Sequence, residues 1–274
     1  MNIDLNDTQR LIQSSVRDYT QRQIAPHAAK LDEEAKFPHD ILRGLAELGV
    51  MGVNVPADLG GAQAGAVAYA LAMMEVARGC ASTAVTMAVT NMVGEVISTF
   101  GDEAQRQRHV PKLTAGEYTA GAFALSEPGA GSDPAGMTTQ ASKVAGGWQL
   151  NGEKQWITSG DVAGVMVVWA RTDTAEQRLG AKGISCFLVT GGTPGLTVGH
   201  HENKMGLRAS STVALSFDNC FVPDGALLGG LGDGFKIAMM ALDGGRIGIA
   251  SQAVGIATAA LAAAKQYALD RKQF

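Results

Sequence analysis

Phe123-Ala124-Leu125-Ser126-Glu127-Pro128-Gly129-Ala130-Gly131-Ser132-Asp133, followed downstream by Asn151-Gly152-Glu153-Lys154-Gln155-Trp156-Ile157-Thr158, is the stretch on which the fold turns. Its first segment reads as a strand end running into a tight, glycine-rich loop. Such a loop lets backbone N–H groups approach an anionic or carbonyl-rich ligand, because glycine has no Cβ to obstruct it. Ser126 and Ser132 add hydroxyls that can donate or accept. In the second segment a tryptophan stands beside a hydroxyl at a strand end. That pair suits a flat aromatic cofactor, covering its face and hydrogen-bonding its polar edge. Taken singly, each segment also fits a plain loop or a core tryptophan.

Outward from this stretch the hydrophobic period changes on both sides. Upstream, Leu11, Ile12, Val16 and Tyr19 follow helical spacing behind a cap at Asn6 or Asp7, and Ile41 to Leu48 repeats the pattern up to Gly49. Ala64 to Thr99 predicts two long Ala- and Met-rich helices broken near Gly79 to Ser82, and Glu103 to Leu113 a shorter one. Downstream, Val165 to Ala170 and Ile184 to Thr190 predict buried strands, and Val213, Leu215 and Phe217 alternate. Asn151-Gly152 predicts a two-residue hairpin turn. From Gly234 a single helical pattern, apolar on more than one face, runs to Phe274, as in a bundle helix.

These periods predict an α+β chain. A helical domain covers residues 1–118, an antiparallel barrel or sandwich 119–225, and the first helix of an incomplete C-terminal bundle 226–274. The order is not the strand-helix alternation of a dinucleotide-binding fold. Gly230-Leu231-Gly232-Asp233-Gly234 lacks the third-glycine spacing of its fingerprint.

Composition narrows the function classes. The 274 residues carry 22 Lys+Arg against 26 Asp+Glu, which leaves no polybasic footprint for nucleic acid or anionic lipid. Cys80, Cys186 and Cys220 are isolated in apolar surroundings and read as buried thiols, and the five histidines are scattered without metal-site companions. Asp4 and Asp7 precede any apolar run, unlike a signal or transit peptide. Contiguous apolar runs fall short of the roughly 18 residues of a membrane span. A soluble, cytoplasmic protein is expected.

In combination the two opening segments resemble the flavin-binding region of the acyl-CoA dehydrogenase family, and the run Gly234 to Gly255 looks most like its short-chain, butyryl-type branch. The family pattern is an aromatic, then x-x-Ser/Thr-Glu-Pro-x-x-Gly-Ser-Asp, then Asn-Gly-x-Lys-x-Trp-Ile-Thr. Here Phe123 stands where Tyr is common, and Ser126 where Thr is common. Lys204 to Thr212 extends the match. The resemblance implies FAD as cofactor, with Phe123, Leu125, Ser126, Trp156, Ile157 and Thr158 around its isoalloxazine ring. It implies Gly131 and Ser132 near the pyrophosphate, Ser132 also touching acyl-CoA, and Arg271 at the FAD of a neighbouring subunit. Asp243, Gly244, Gly245 and Arg246 are implied at the entrance for CoA.

The implied reaction is α,β-dehydrogenation of an acyl-CoA thioester. Electrons pass to an electron-transfer flavoprotein, and the enzyme is a homotetramer or dimer. The family places its catalytic glutamate either in the last helix, where this chain has Gly245, or in a C-terminal region past Phe274. No catalytic base is therefore assigned within the chain, which is expected to be truncated. An acyl-CoA oxidase of the same fold and a non-catalytic flavin- or subunit-binding partial homologue stand as alternatives.

Overall fold

The computed structural model describes residues 4–174, 176–177 and 179–273, so Phe274 lies outside the described residues. Helix α1 (Asp7–Tyr19) begins with a capping box in which Asn6 and Gln9 exchange side-chain-to-backbone hydrogen bonds. It passes through a π-helical turn at Thr20–Ile24 into α2 (Ala25–Glu33). The wider turn precedes Pro26, which has no N–H to give to an α-helical ladder. Then come α3 (His39–Glu47), α4 (Gly65–Gly79), α5 (Ala81–Phe100) and α6 (Glu103–Thr114). The break between α4 and α5 is a single extended residue, Cys80.

Helices α1 to α5 share a core that includes Val16, Ile24, Leu42, Leu45, Met51, Met73 and Met87. Asn91, fully buried on α5, satisfies every group it brings there. Its Oδ1 accepts from Val53 N–H at 2.8 Å, and its Nδ2 donates to the carbonyls of Val50 and Met87 at 2.9 Å each. A fully paired buried amide of this kind fixes the loop after α3 against α5.

The strands are β1 (Ala120–Ala124), β2 (Gln140–Val144), β3 (Gly147–Thr158), β4 (Ala163–Arg171), β5 (Ile184–Thr190), β6 (Leu196–His201), β7 (Thr212–Pro223) and β8 (Leu227–Leu228). They form one sheet in the order β6-β7-β3-β2-β4-β5-β8, with β1 pairing β4. As expected the sheet is mostly antiparallel, with parallel pairing only where β1 and β2 meet β4. The expected hairpin at Asn151-Gly152 is corrected. Both residues lie inside β3, which is paired on both edges, Asn151 with Gln140 and Gly152 with Phe217. The two-residue turn falls at Ala145-Gly146 instead. A glycine is still required at 152. Its φ is +143°, and a Cβ there would lie 2.7 Å from the backbone of Thr139.

Helix α7 (Gly234–Asp270) returns across α4 and α5. Trp169 Nε1 donates to the carbonyl of Gly234 at 2.7 Å and fixes its start to the sheet. The seat on α4 is close: a Cβ at Gly255 would lie 2.4 Å from the backbone oxygen of Met74. By length and composition alone α7 is long and apolar enough to cross a membrane, a test that the core helix of a soluble protein also passes. Its apolar residues are spread along the 37-residue helix between polar and charged ones rather than gathered in one block. The N-terminal part of this helix is a packing surface, with Ile237, Ala238 and Ala241 buried against α5 and the sheet.

Candidate functional site

The local geometry starts from a bulge in β3. Lys154 is level with Leu215 and Ile157 with Val213, so β3 carries one extra residue at Gln155-Trp156. The bulged Gln155 gives its N–H to the carbonyl of Ser126 at 2.9 Å. Trp156 takes φ +59° and is 60% exposed. A bulge of this kind re-aims the side chains that follow it. Left-handed backbone costs a non-glycine residue about 1–2 kcal/mol. It persists where surroundings over-determine it, which is common at ligand sites. Thr158 ends the strand half-buried, and Ser159 after it is again left-handed, with φ +60°. Ile157 points the other way, buried among Val213, Leu215 and Phe217. It can offer a ligand only its backbone.

The facing loop is a tight turn. Glu127 and Ala130 exchange backbone hydrogen bonds at 3.1 Å around Pro128-Gly129. Leu125 is buried, Ser126 is half-buried, and Phe123 packs on Trp169 with ring centroids 4.2 Å apart. Gly131 and Ser132 lie exposed beyond the turn, with open space where a Cβ at Gly131 would stand.

Glu127 and Lys154, one in each segment, tie loop to strand. Lys154 Nζ donates to Glu127 Oε1 at 2.7 Å and to the carbonyl of Leu125 at 3.1 Å. Glu127 also accepts from Thr138 N–H (2.6 Å), Thr138 Oγ1 (2.9 Å) and Thr139 N–H (3.0 Å). Burial alone would raise the Glu127 carboxyl, but the Lys154 ammonium and these hydrogen bonds outweigh it and hold it at about 2. Their signal in the sequence was a charged residue of each sign within the two segments. A second buried pair has no such signal. Arg171 Nε meets Asp173 Oδ1 at 2.8 Å and Arg171 Nη1 donates to Ala135 O at 3.2 Å, bracing the loop after Asp133.

Helices α5 and α7 leave an apolar cleft of about 350 Å³ lined by Ala88, Val89, Met92, Leu242, Gly245, Arg246 and Ile249. Phe123, Leu125, Val89, Met92 and Leu242 belong to one apolar cluster. Asp243 and Arg246 form an exposed ion pair at its rim. Gly244 and Gly245 face a second cavity of about 30 Å³, which holds Asn54, Tyr69 and Glu95 and shares Met92 with the cleft. Burial pushes the Glu95 carboxyl up, opposed by the hydrogen bond from Asn54 at 3.0 Å. Arg271 makes its hydrogen bond and its ring contact with Tyr267 on its own helix, apart from the loop and bulge residues. Among the described residues no cluster of metal-ligating side chains occurs.

An exposed indole held out by a strained bulge and hydroxyls at Ser126 and Thr158 suit a planar cofactor, and the cleft between α5 and α7 suits an apolar ligand. Family models agree with that class. Residues 6–117 match the acyl-CoA dehydrogenase N-terminal domain, 122–220 its middle domain and 232–274 its C-terminal domain. The chain is 46% identical over 274 residues to the short-chain specific acyl-CoA dehydrogenase, mitochondrial, of Rattus norvegicus, covering 99% of this chain and 65% of that protein. It superposes on butyryl-CoA dehydrogenase from Megasphaera elsdenii with a TM-score of 0.95 and 39% identity, over 100% of this chain and 72% of that one. A glutaryl-CoA dehydrogenase from Mycobacterium smegmatis in complex with FADH2 matches with a TM-score of 0.91 and 35% identity, over 98% and 67%. This chain belongs to the acyl-CoA dehydrogenase family. It spans 65% of the length of the rat relative.

Proposed function

We propose that the chain provides the flavin and acyl-CoA sites of an FAD-dependent α,β-dehydrogenase acting on a short-chain acyl-CoA thioester to give the trans-2-enoyl-CoA. The observation that carries this reading is Trp156, a large aromatic held exposed at φ +59° where burial would ordinarily be favoured. FAD, when bound, accepts the β-hydrogen as hydride. In this reading Trp156 covers the ring, Thr158 and Ser126 hydrogen-bond its polar edges, and Phe123 and Leu125 exclude water. Gly131 and Ser132 leave the approach to the pyrophosphate unobstructed, and the arm Asp243 to Arg246 lines the way in for CoA.

The apolar cleft of about 350 Å³ supports an acyl chain as the ligand beside the flavin. Proton removal is read differently. Asp243 is exposed and paired with Arg246, Glu95 lies in the second cavity, and Gly245 offers no side chain. The base is therefore read as belonging to the family's C-terminal region, past residue 274. Flavin binding without turnover is the second reading that this favours for the chain by itself. We further read the native acceptor as an electron-transfer flavoprotein, the assembly as a homotetramer or dimer, and the compartment as the cytoplasm. Exposed Val254, Ile256 and Leu261 on α7 support apolar subunit contacts.

Titration with FAD tests the core of the proposal: a yellow complex with quenched flavin fluorescence is expected, and a chain that stays colourless overturns it. Dye reduction with butyryl-CoA then separates binding from turnover. A robust rate would show that a base lies within these residues. Rapid reoxidation of the reduced flavin by air would favour an oxidase.

A further inference from the structure

We infer that Glu127 and Lys154 are positioning residues for the flavin, holding Ser126 at a set distance from the bulge that carries Trp156. This rests on the FAD reading above. Three hydrogen bonds join two consecutive residues of β3 to three consecutive residues of the loop. Lys154 Nζ reaches Leu125 O at 3.1 Å and Glu127 Oε1 at 2.7 Å, on either side of Ser126, and Gln155 N–H reaches Ser126 O at 2.9 Å. Ser126 is thus fixed through its own carbonyl and through both neighbours.

The choice of a charged pair is informative. Lys154 is fully buried and Glu127 is 3% exposed. A buried ion pair can often be replaced by apolar residues of similar volume without loss of stability, so its presence is weak evidence for a stabilising role. What an apolar pair cannot reproduce is direction. Both carboxylate oxygens are engaged, Oε2 by the N–H and hydroxyl of Thr138 and Oε1 by Thr139 N–H and Lys154. The pair therefore links the head of β2, the turn at Pro128-Gly129 and the bulge at fixed spacings. Charge-assisted bonds of this kind are short and direction-specific. The left-handed Trp156 beside them needs over-determined surroundings to persist.

The test uses the chain with FAD, reading the dissociation constant by flavin fluorescence and the visible absorption band of bound flavin. Lys154→Met, Glu127→Gln and the double variant Glu127→Met/Lys154→Met are compared with the wild type. Each single variant is expected to bind FAD at least tenfold more weakly. The double variant is expected to fold yet keep that loss, with a shifted flavin band. A double variant that folds and restores wild-type affinity and spectrum overturns the inference and leaves the pair purely structural. Should the double variant not fold, Lys154→Arg decides. It keeps the charge and alters the hook, so a shifted band supports positioning and a wild-type band overturns it. A wild-type chain that takes up no FAD overturns the flavin reading, and this inference with it.

Discussion

On the sheet side of the cleft, position is set by polar hooks: Lys154 and Glu127 beneath the loop, Gln155 N–H on Ser126, and Arg171 under Ala135. On the helix side it is set by missing atoms. Helix α7 approaches α4 where Gly248 and Gly255 carry no Cβ, against Tyr69 and the backbone of Met74. The first wall is specified by direction and the second by distance. A hydrogen-bonded wall can hold hydroxyls and a ring face at fixed angles, as a planar ligand needs. Close packing on α4 seats the helix that offers Leu242, Gly245 and Ile249 to the apolar cleft.

The largest effect is expected on the sheet side. Lys154→Met strands the Glu127 carboxylate in burial, and removing one partner of such a pair costs about 3–5 kcal/mol. Urea denaturation measures it, and a loss under about 1 kcal/mol would show that this wall does not depend on the pair. On the helix side, Gly255→Val drives side-chain atoms onto the Met74 backbone, which cannot swing aside, and overpacking of this kind costs about 1–3 kcal/mol. Gly248→Ala should cost less, since it meets the far end of the Tyr69 side chain. Equal losses at the two positions would erase the distinction between backbone and side-chain seats.

Trp156→Gly separates strain from ligand contact. Glycine adopts the left-handed conformation freely, so stability should hold or rise by about 1 kcal/mol while flavin affinity falls. A coincident loss of stability would mean that the indole is a structural anchor.

In pH dependence the two walls should have opposite signs. The Glu127 carboxyl is held at about 2, below its ordinary 4.5, so its contribution is complete above 4.5 and lost as pH falls towards 2. The Glu95 carboxyl is raised by burial, so its contribution is present below 4.5 and lost as pH rises through its folded value. Stability profiles of Glu127→Gln and Glu95→Gln should flatten on opposite limbs. Flattening on the same limb would contradict the assignment.

Much of the helical architecture was legible in the sequence, because apolar spacing and caps act locally. Asn6 caps α1 as its side chain predicts, and the break between α4 and α5 falls at Cys80, within the stretch expected for it. The sheet was legible as strands but not as pairings. The hairpin preference of Asn151-Gly152 is a local one, and pairing with β2 and β7 on either side overrides it. The parallel partnership of β1 with β4 depends on residues some forty positions apart, which no short window contains. At the site, the segments were visible as motifs. The bulge that sends Trp156 outward and Ile157 inward was not, because an extra residue in a ladder exists only relative to its partner strand. Glu127 and Lys154 stood inside the motifs as charges, and only their burial shows that they are joined.

The π-helical turn at Thr20–Ile24 sets the phase of everything before it. Each residue of an α-helix advances the chain about 100° and 1.5 Å, so deleting one there would let the helix close up in regular register. Helix α1 would then turn about a quarter of a revolution as a rigid rod. Arg17, now 2.7 Å from the buried Glu75, and Val16, now in the core, would swing off the face they occupy. One surplus residue thus acts as a gear offset, meshing the first helix with α4 although the sequence between them runs out of step.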